Sequence, residues 1–435
     1  MIFCHQPFGE DLLRRLITKF LNTALVTLGL AAILFVGANI AAHFALEETS
    51  DNRPKDLFGS VIWPGSPEGD RFLAAAFPDK TRAEITARRD LGPGFVMHPV
   101  LHYATAAVEN SAYHIGLEGI RYEPDWTDEM VQSWLARGKN LVFVFGGSTV
   151  LGQGVANDET LTFYLNNLSD ERHRFLNFGS QAYDQHREIE KLVYLLRAGH
   201  RPAHVIFLDG WNDIIDMARS NMRLADKVIF HGFSVHRGEI AFTPGSLVAR
   251  PDYNNLLASL FPLTRLSAHV QRMPVTLDKI NPRRDGLVDG FDFREAEYVF
   301  WNWEAFADRH RGLLKADILA YFSKNTALIA ALAEGFRFGA SVFYQPLGTL
   351  DPKNPFVPDD ARKGRGYAHI VEMDAAIRGA ISRDALPMID LSAAFRNLDA
   401  ARYVDMAHYS PAGNREIAEA ILAELSQTYA AFAQD

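Results

Sequence analysis

Short apolar runs alternate with amphipathic segments over most of the chain after Gly138. Nearly continuous apolar runs of strand length occur at 141–145, 174–178, 204–208, 341–345 and 387–391. Apolar residues at helical spacing occur at 158–168, 186–198, 317–335, 370–382 and 411–427. Short apolar strands that alternate with amphipathic helices are typical of a mostly parallel sheet covered by helices on both faces. The pattern therefore predicts an α/β fold built on a five-stranded sheet.

Two stretches depart from this rhythm. Residues 58–137 are punctuated by Pro and Gly and contain one clear helix pattern, Thr127 to Arg137, so we interpret them as an N-terminal extension that packs on the core. Residues 216–315 interrupt the alternation, and about 100 residues is too long for an unstructured connection. We predict an inserted subdomain or lid there. Its aromatic cluster either forms a small core for the insertion or lines a substrate cleft: Phe300, Trp301, Trp303 and Phe306.

A long apolar segment lies near the N-terminus, at 20–46, and contains no Asp, Glu, Lys or Arg. A helix of about 20 residues is enough to cross the roughly 30 Å hydrocarbon core of a bilayer. Basic residues precede the segment and acidic residues follow it, which predicts a cytoplasmic tail at 1–19 and an external domain after a polar linker at 47–57. We expect a single-pass protein of the inner (cytoplasmic) membrane with a periplasmic or other extracytoplasmic domain. The alternative is a signal peptide that is cleaved near 42–45.

Composition narrows the functional class. The 435 residues are 48% hydrophobic and 22% charged, as in globular proteins. A formal net charge of −9 argues against a nucleic-acid partner, because such proteins carry basic patches or stripes. Cys4 is the single cysteine, so an intrachain disulfide is excluded.

Candidate chemistry follows two of the predicted strands and precedes the last helix. Ser148 follows the run at 141–145, and Asn212 follows the run at 204–208. Ligands of parallel α/β sheets bind at the carboxyl ends of the strands. A serine hydroxyl needs a neighbouring base, usually a histidine oriented by a carboxylate. Asp405 precedes His408 by three residues, so we predict Ser148 as nucleophile, His408 as general base and Asp405 as its orienting carboxylate.

Ester cleavage also needs donors for the developing oxyanion. We consider three: the backbone N–H of Ser148, the side-chain amide of Asn212 and a backbone N–H in the loop 177–183. The turn 146–150 is not the nucleophile elbow of α/β-hydrolases, because Val150 stands in place of its last glycine. A phosphate-binding Gly-Lys-Ser/Thr sequence is absent from the chain.

The chain resembles the SGNH/GDSL hydrolase superfamily, in particular its membrane-anchored bacterial members, over about residues 138–430 without the insertion. Four blocks carry the resemblance: Gly-Gly-Ser148, Asn177-Phe-Gly-Ser-Gln-Ala, Gly-Trp-Asn212-Asp and Asp405-x-x-His408. The resemblance implies a flavodoxin-like three-layer α/β/α fold, a Ser-His-Asp triad, an oxyanion hole from Ser, Gly and Asn, and no metal or organic cofactor. It aligns Ala182 with the family's oxyanion glycine, with Gly179 as the substitute donor if the alignment shifts. The nucleophile block also departs from the family, because it reads Gly-Gly-Ser rather than Gly-Asp-Ser.

Together these observations predict a serine esterase that removes an O-acetyl or other acyl group from a glycan or lipid of the cell envelope. One alternative is an O-acyltransferase that uses the same triad to modify an envelope polysaccharide. The other is a catalytically silent envelope scaffold that keeps the fold.

Overall fold

The computed structural model describes residues 60–98, 100–138, 140–169, 172–220, 308–363, 365–395 and 401–429, together with Lys19 and Thr27. Apart from those two residues, all of them belong to one compact unit, Lys55–Val235 with Arg283–Asp435. The predicted membrane segment (apart from Thr27), the linker 47–57 and the aromatic cluster at 300–306 lie outside the described residues. Within the described ranges, no helix is both long and apolar enough to cross a bilayer.

The described part of the N-terminal stretch folds into three α-helices, a 3-10 turn at Leu117–Gly119 and two small hairpins. The helices are α1 (Pro67–Ala76), α2 (Arg82–Asp90) and α3 (Asp128–Arg137); the strands pair antiparallel, β1 (Phe95–His98) with β2 (His102–Thr105) and β3 (Val108–Glu109) with β4 (His114–Ile115). Of the helices, only α3 was predicted. The other two also begin at sequence signals, Ser66-Pro67 for α1 and a Thr81–Glu84 capping box for α2.

Five parallel strands form the central sheet. They are β5 (Leu141–Gly146), β6 (Arg174–Asn177), β7 (His204–Asp209), β8 (Gly339–Tyr344) and β9 (Ile389–Asp390). Their order in the sheet is β6-β5-β7-β8-β9, and all four neighbouring pairs are parallel. Counted from β5, this is the 2-1-3-4-5 order of flavodoxin-like folds, in which the strand order reverses between the first and third strands. The predicted five-stranded parallel sheet is confirmed.

Helices cover both faces of this sheet. They are α4 (Ser148–Leu151), α5 (Leu161–Leu168), α6 (Gln185–Arg197), α7 (Trp211–Ser220), α8 (Asp308–Phe336), α9 (Arg365–Ile381) and α10 (Pro411–Thr428). Phe143 and Phe207 pack on one face, in a cluster with residues of α6, α8 and α9. Val144 and Ile206 pack on the other face, with residues of α5 and α10. Successive strand residues point to opposite faces, so each strand contributes to both layers.

The N-terminal stretch shares the core of the sheet. Val131 and Leu135 of α3 are buried in the same cluster as Phe143. On the other side, Arg88 of α2 makes a paired contact with Glu159, with Nε and Nη2 each 2.7 Å from a carboxylate oxygen. Both side chains are buried, so removing either partner would leave an uncompensated charge in the interior.

Some predicted boundaries differ from the structure. The helix predicted at 317–335 begins earlier, at Asp308, and α7 continues to Ser220, so both ends of the predicted 216–315 insertion are helical. The helix α8 begins with Asp-Arg-His-Arg-Gly. These residues show no apolar periodicity, so the sequence does not indicate the helix before the buried Leu314. The helix predicted at 158–168 is divided into a 3-10 turn, Asn157–Glu159, and α5.

Glu123 should make stability depend on pH. Burial raises the pKa of this carboxyl from 4.5 to about 7, although a hydrogen bond from Asn166 and the charge of Arg174 lower it. The folded state then binds this proton more tightly than the unfolded state, so stability is lost as the pH rises from about 4.5 to 7. Between pH 4.5 and 7, the free energy of unfolding of Glu123→Gln should therefore fall by about 1–3 kcal/mol less than that of the wild type. This range is reduced from the full pKa shift because Glu123 is partly exposed.

The measurement is urea unfolding of both proteins between pH 4 and 8. Exposed Glu129→Gln, in α3, is the matched control and should leave the pH profile unchanged. Identical profiles for wild type and Glu123→Gln would contradict the prediction.

Candidate active site

Ser148 lies where β5 ends and α4 begins. Gly147 is the N-cap of this short helix, and Ser148 is its first residue. A Cβ on Gly146 would lie 2.2 Å from the Val150 side chain, and one on Gly147 would lie 2.2 Å from Asn212 Nδ2. Both positions therefore require glycine, and the turn places the serine directly beside the Asn212 amide.

His408 and Asp405 reach Ser148 from the loop before α10. His408 Nε2 lies 2.7 Å from Ser148 Oγ, and His408 Nδ1 lies 2.6 Å from Asp405 Oδ2. The loop is fixed at its far end by Ser410, whose side chain accepts the N–H of Gly413 at the start of α10. The three residues predicted from their order along the chain thus form one hydrogen-bonded line, which can move a proton from the serine to the imidazole.

The Asp405 carboxylate is held by backbone donors as well as by the imidazole. Its Oδ1 accepts the N–H groups of Ala407 and His408, each at 2.7 Å. Burial would raise the pKa of Asp405, but the neighbouring His408 and these hydrogen bonds outweigh it, so the pKa lies below its ordinary value. The group is therefore ionised at neutral pH and can stabilise a protonated His408.

Asn212 is held by the turn that begins α7. Its Nδ2 donates to Tyr183 O at 2.6 Å, and because an amide nitrogen carries two hydrogens, one remains for another acceptor. Asp213 braces the turn by accepting the N–H of Gly210 at 3.0 Å and the hydroxyl of Tyr321, on α8, at 2.9 Å. Helix α8, which begins within the predicted insertion, thus supports the turn of Asn212 through Asp213.

The loop after β6 contains the two backbone N–H groups that were predicted as alternatives for the third oxyanion donor, those of Ala182 and Gly179. The N–H of Gly179 donates to Asn177 Oδ1 at 3.0 Å, so this glycine is not a free donor. Ala182 adopts a left-handed conformation with φ of 56°, which glycine takes without strain and alanine does not. Its carbonyl accepts the Tyr103 hydroxyl at 3.1 Å. The role of Ala182 as an oxyanion donor stays a prediction.

A small pocket adjoins the nucleophile. It is lined by Ser148, Tyr183, Asn212 and Gln345, among others, but not by Ala182, and has a volume of about 10 Å³. That is room for about one water-sized group. Ser148 and Asn212, two of the three predicted oxyanion contributors, therefore face one space large enough for a single oxygen atom.

Buried carboxyl groups lie beneath this pocket. Asp209 lines it, accepts the Gln185 side-chain amide at 2.8 Å and neighbours the fully buried Glu188. Burial raises the pKa values of both Glu188 and Asp209 well above their ordinary values. The charge of Asp209 raises the pKa of Glu188 further, whereas the charge of Asp213 raises that of Asp209 and a hydrogen bond with Glu188 lowers it. Such a pair keeps a proton near neutral pH, which limits the negative charge under the site where an oxyanion would form.

Arg121 supports the nucleophile turn in a way that sequence reasoning missed, because its segment was interpreted as packing only. Its side chain is buried, and its guanidinium lies 4.2 Å from the centre of the Tyr113 ring. It donates to four backbone carbonyls and one side-chain oxygen: Leu151 O (2.7 Å), Gly152 O (2.5 Å), Val155 O (2.6 Å), Ala112 O (3.0 Å) and Asn157 Oδ1 (3.1 Å). The first two carbonyls end α4, so the cation stabilises the helix that begins with Ser148.

Its backbone joins a second part of the site. The N–H of Arg121 donates to the carbonyl of Asn177, the last residue of β6, at 3.0 Å. Burial lowers the pKa of the Arg121 guanidinium from 12.5 to about 10, which still leaves it charged at neutral pH. An arginine flanked by apolar residues before the first core strand is the only signal that the sequence carried for this role.

Comparisons with known proteins give remote structural similarity. No protein-family model matches the chain, and no curated protein is similar to it in sequence. Among solved structures, an α/β hydrolase enzyme from the metagenome of Lake Arreo, Spain, is 13% identical, with a TM-score of 0.32 over 65% of this chain and 94% of that chain. An acetyl xylan esterase from Geobacillus stearothermophilus is 14% identical, with a TM-score of 0.28 over 66% of this chain and 95% of that chain. Such values assign no function to this chain.

Replacing Arg121 by lysine should destabilise the protein. Lysine keeps the charge but has only three donors on one nitrogen, so it cannot reach carbonyls on several sides of the guanidinium plane. We expect a loss of about 2–4 kcal/mol in the free energy of unfolding, measured by urea titration. The exposed Arg137→Lys is the matched control and should change it by less than about 0.5 kcal/mol. Equal effects of the two substitutions would contradict the supporting role of Arg121.

Proposed function

We propose that the protein is a serine esterase that works through an acyl-enzyme. The single observation that carries this proposal is the line from Asp405 through His408 to Ser148, with contacts of 2.6 Å and 2.7 Å. A serine, a histidine and an ionised carboxylate in this order form the arrangement that activates a hydroxyl for attack on an acyl carbon. The pocket beside Ser148, with the Asn212 amide at its wall, supplies a place for the oxyanion.

The reaction follows from these positions. Ser148 Oγ attacks the ester carbonyl carbon while His408 Nε2 takes its proton, and Asp405 stabilises the resulting imidazolium. The carbonyl oxygen becomes an oxyanion, which the Ser148 N–H and the remaining hydrogen of Asn212 Nδ2 stabilise; Ala182 is the predicted third donor. The tetrahedral intermediate then expels the alcohol, which takes the proton from His408. Water, deprotonated by His408, attacks the acyl carbon of the acyl-enzyme. The second tetrahedral intermediate then releases the carboxylic acid, and His408 returns the proton to Ser148 Oγ.

The cellular setting belongs to the same proposal. The apolar segment 20–46, with basic residues before it and acidic residues after it, supports an inner-membrane anchor and a catalytic domain on the periplasmic side. A domain in that position meets acylated glycans and lipid esters of the envelope. We therefore propose an envelope ester as the substrate and an O-acetyl group as its simplest acyl part.

Ser148→Ala should abolish ester hydrolysis. The full-length protein in detergent is assayed with p-nitrophenyl acetate and with longer acyl esters, and labelled with a serine-directed fluorophosphonate. We expect kcat to fall by at least about 10³-fold, since the triad acts as a unit, and the label to be lost.

The exposed Ser382→Ala is the matched control, and its activity and labelling should equal those of the wild type. A folded wild-type protein that neither hydrolyses any of these esters nor takes up the label would overturn the esterase proposal. The catalytically silent scaffold would then be the better interpretation.

The membrane anchor can be tested in a Gram-negative host. The full-length chain should stay in the membrane pellet after an alkaline carbonate wash. A Leu30→Arg, Leu34→Arg variant should not, because each arginine in the middle of a span costs about 3 kcal/mol on insertion. Release of the wild-type chain by the wash, or its recovery as a shorter soluble form cleaved after 42–45, would exclude the anchor.

A further inference from the structure

A second and larger cavity lies at the carboxyl edge of the sheet. Its volume is about 270 Å³, close to the lower limit of the roughly 300–1,000 Å³ that ligand sites commonly occupy. It lies between the loop that follows β8 and the chain that follows β9. Gln345 lines the nucleophile pocket and the next residue, Pro346, lines this cavity, so the segment that follows β8 contributes to the walls of both spaces.

The wall of the cavity is joined to the catalytic loop. Tyr403, two residues before Asp405, lines the cavity and donates its hydroxyl to Asp351 Oδ2 at 2.9 Å. Tyr409, the residue after His408, donates its hydroxyl to Pro346 O at 2.6 Å. A ligand in the cavity would therefore rest against the same segment that positions the imidazole.

The lining combines apolar surface with donors and acceptors. Leu347, Leu350 and the Phe395 ring form apolar walls, while Asp351, Lys353 and Arg378 bring charged groups. Arg378 is held in place by Asp390 at 3.2 Å and Asp374 at 3.7 Å, and its side chain is still 47% exposed. The polar groups are thus fixed by neighbours and keep capacity for a ligand.

The balance of charge limits the ligand class. Three cationic side chains line the cavity, Lys353, Arg378 and Arg402, against two carboxylates, Asp351 and Asp374. Arg402 also has Glu416 at 3.5 Å. Because the charges nearly balance, the lining does not select an anion. An alkyl chain is also disfavoured, because the charged side chains would lose their hydration when hydrocarbon covered them. A sugar ring presents apolar C–H faces together with hydroxyls that donate and accept, which matches this wall.

We propose that this cavity binds a sugar ring in the alcohol part of the ester, so that the substrate is an acylated saccharide rather than a lipid ester. This inference rests on the proposed esterase function of Ser148. The sugar is held against Phe395, with its hydroxyls hydrogen-bonded to Asp351 and Arg378, while the carbonyl oxygen of the ester enters the pocket beside Ser148. The cavity opens to solvent beside the exposed side chains of Lys353 and Arg378. Further sugar units of a longer saccharide would extend through this opening.

The test compares three kinds of ester with the full-length protein in detergent: p-nitrophenyl acetate, dodecyl acetate and mono-O-acetyl hexoses (glucose, galactose and N-acetylglucosamine). We expect the wild type to prefer an acetyl hexose to dodecyl acetate. Arg378→Met and Phe395→Leu should each lower the ratio of kcat/KM for that hexose ester to kcat/KM for p-nitrophenyl acetate by about tenfold, mainly through KM, as for the loss of one contact.

The exposed Arg383→Met, which lies outside the cavity, is the matched control and should leave the ratio unchanged. If the wild type prefers dodecyl acetate, or if neither cavity variant changes the ratio, the saccharide inference fails while the esterase proposal stands. If the wild type hydrolyses none of the three ester types and Ser148 resists the fluorophosphonate, the esterase proposal fails and the saccharide inference fails with it.

Discussion

The parallel pairing of β5 with β7 is the constraint on which the site depends. Gly146 pairs with Leu208 at the ends of the two strands, so Ser148 and Asn212 leave the sheet side by side. A shift of one residue would turn every side chain of a strand to the opposite face. It would also separate Gly147 from the Asn212 amide that packs against it. The fully buried residues on both faces of these strands hold that register.

Buried polar groups then fix the turns that leave the sheet. The Arg121 guanidinium donates hydrogen bonds to the carbonyls at the end of α4. Asp213 accepts the N–H of Gly210, at the start of the turn that carries Asn212. A buried polar group is costly unless it is paired, and here each is paired with the backbone that it supports. The N-terminal stretch is therefore part of the site: it supplies Arg121, and it packs into the core of the sheet.

The two spaces at the carboxyl edge differ in what they can hold. The pocket of about 10 Å³ beside Ser148 has room for a reacting oxygen, whereas the cavity of about 270 Å³ has room for a larger group. They share the segment that follows β8, and that segment is tied by hydrogen bonds to the loop of Asp405 and His408. The same few contacts thus position both the wall of the cavity and the loop that carries His408.

The sequence by itself determined the strand and helix rhythm, the order of the sheet's elements along the chain and the candidate residues that the fold brings together, Ser148, His408 and Asp405. These follow from local signals: apolar periodicity, a Gly-Gly-Ser turn after a buried strand, and a histidine loop before a capped helix. The sequence did not reveal α1 and α2. Their capping motifs are short and lie among many Pro and Gly residues, which are typical of irregular structure. The partners of Arg121 and Asp213, the left-handed conformation of Ala182 and the occupied N–H of Gly179 were decided only by the tertiary structure. So was the cavity, because contacts such as His408 with Ser148, 260 residues apart, depend on the packing of the whole sheet and leave no periodic trace in the chain.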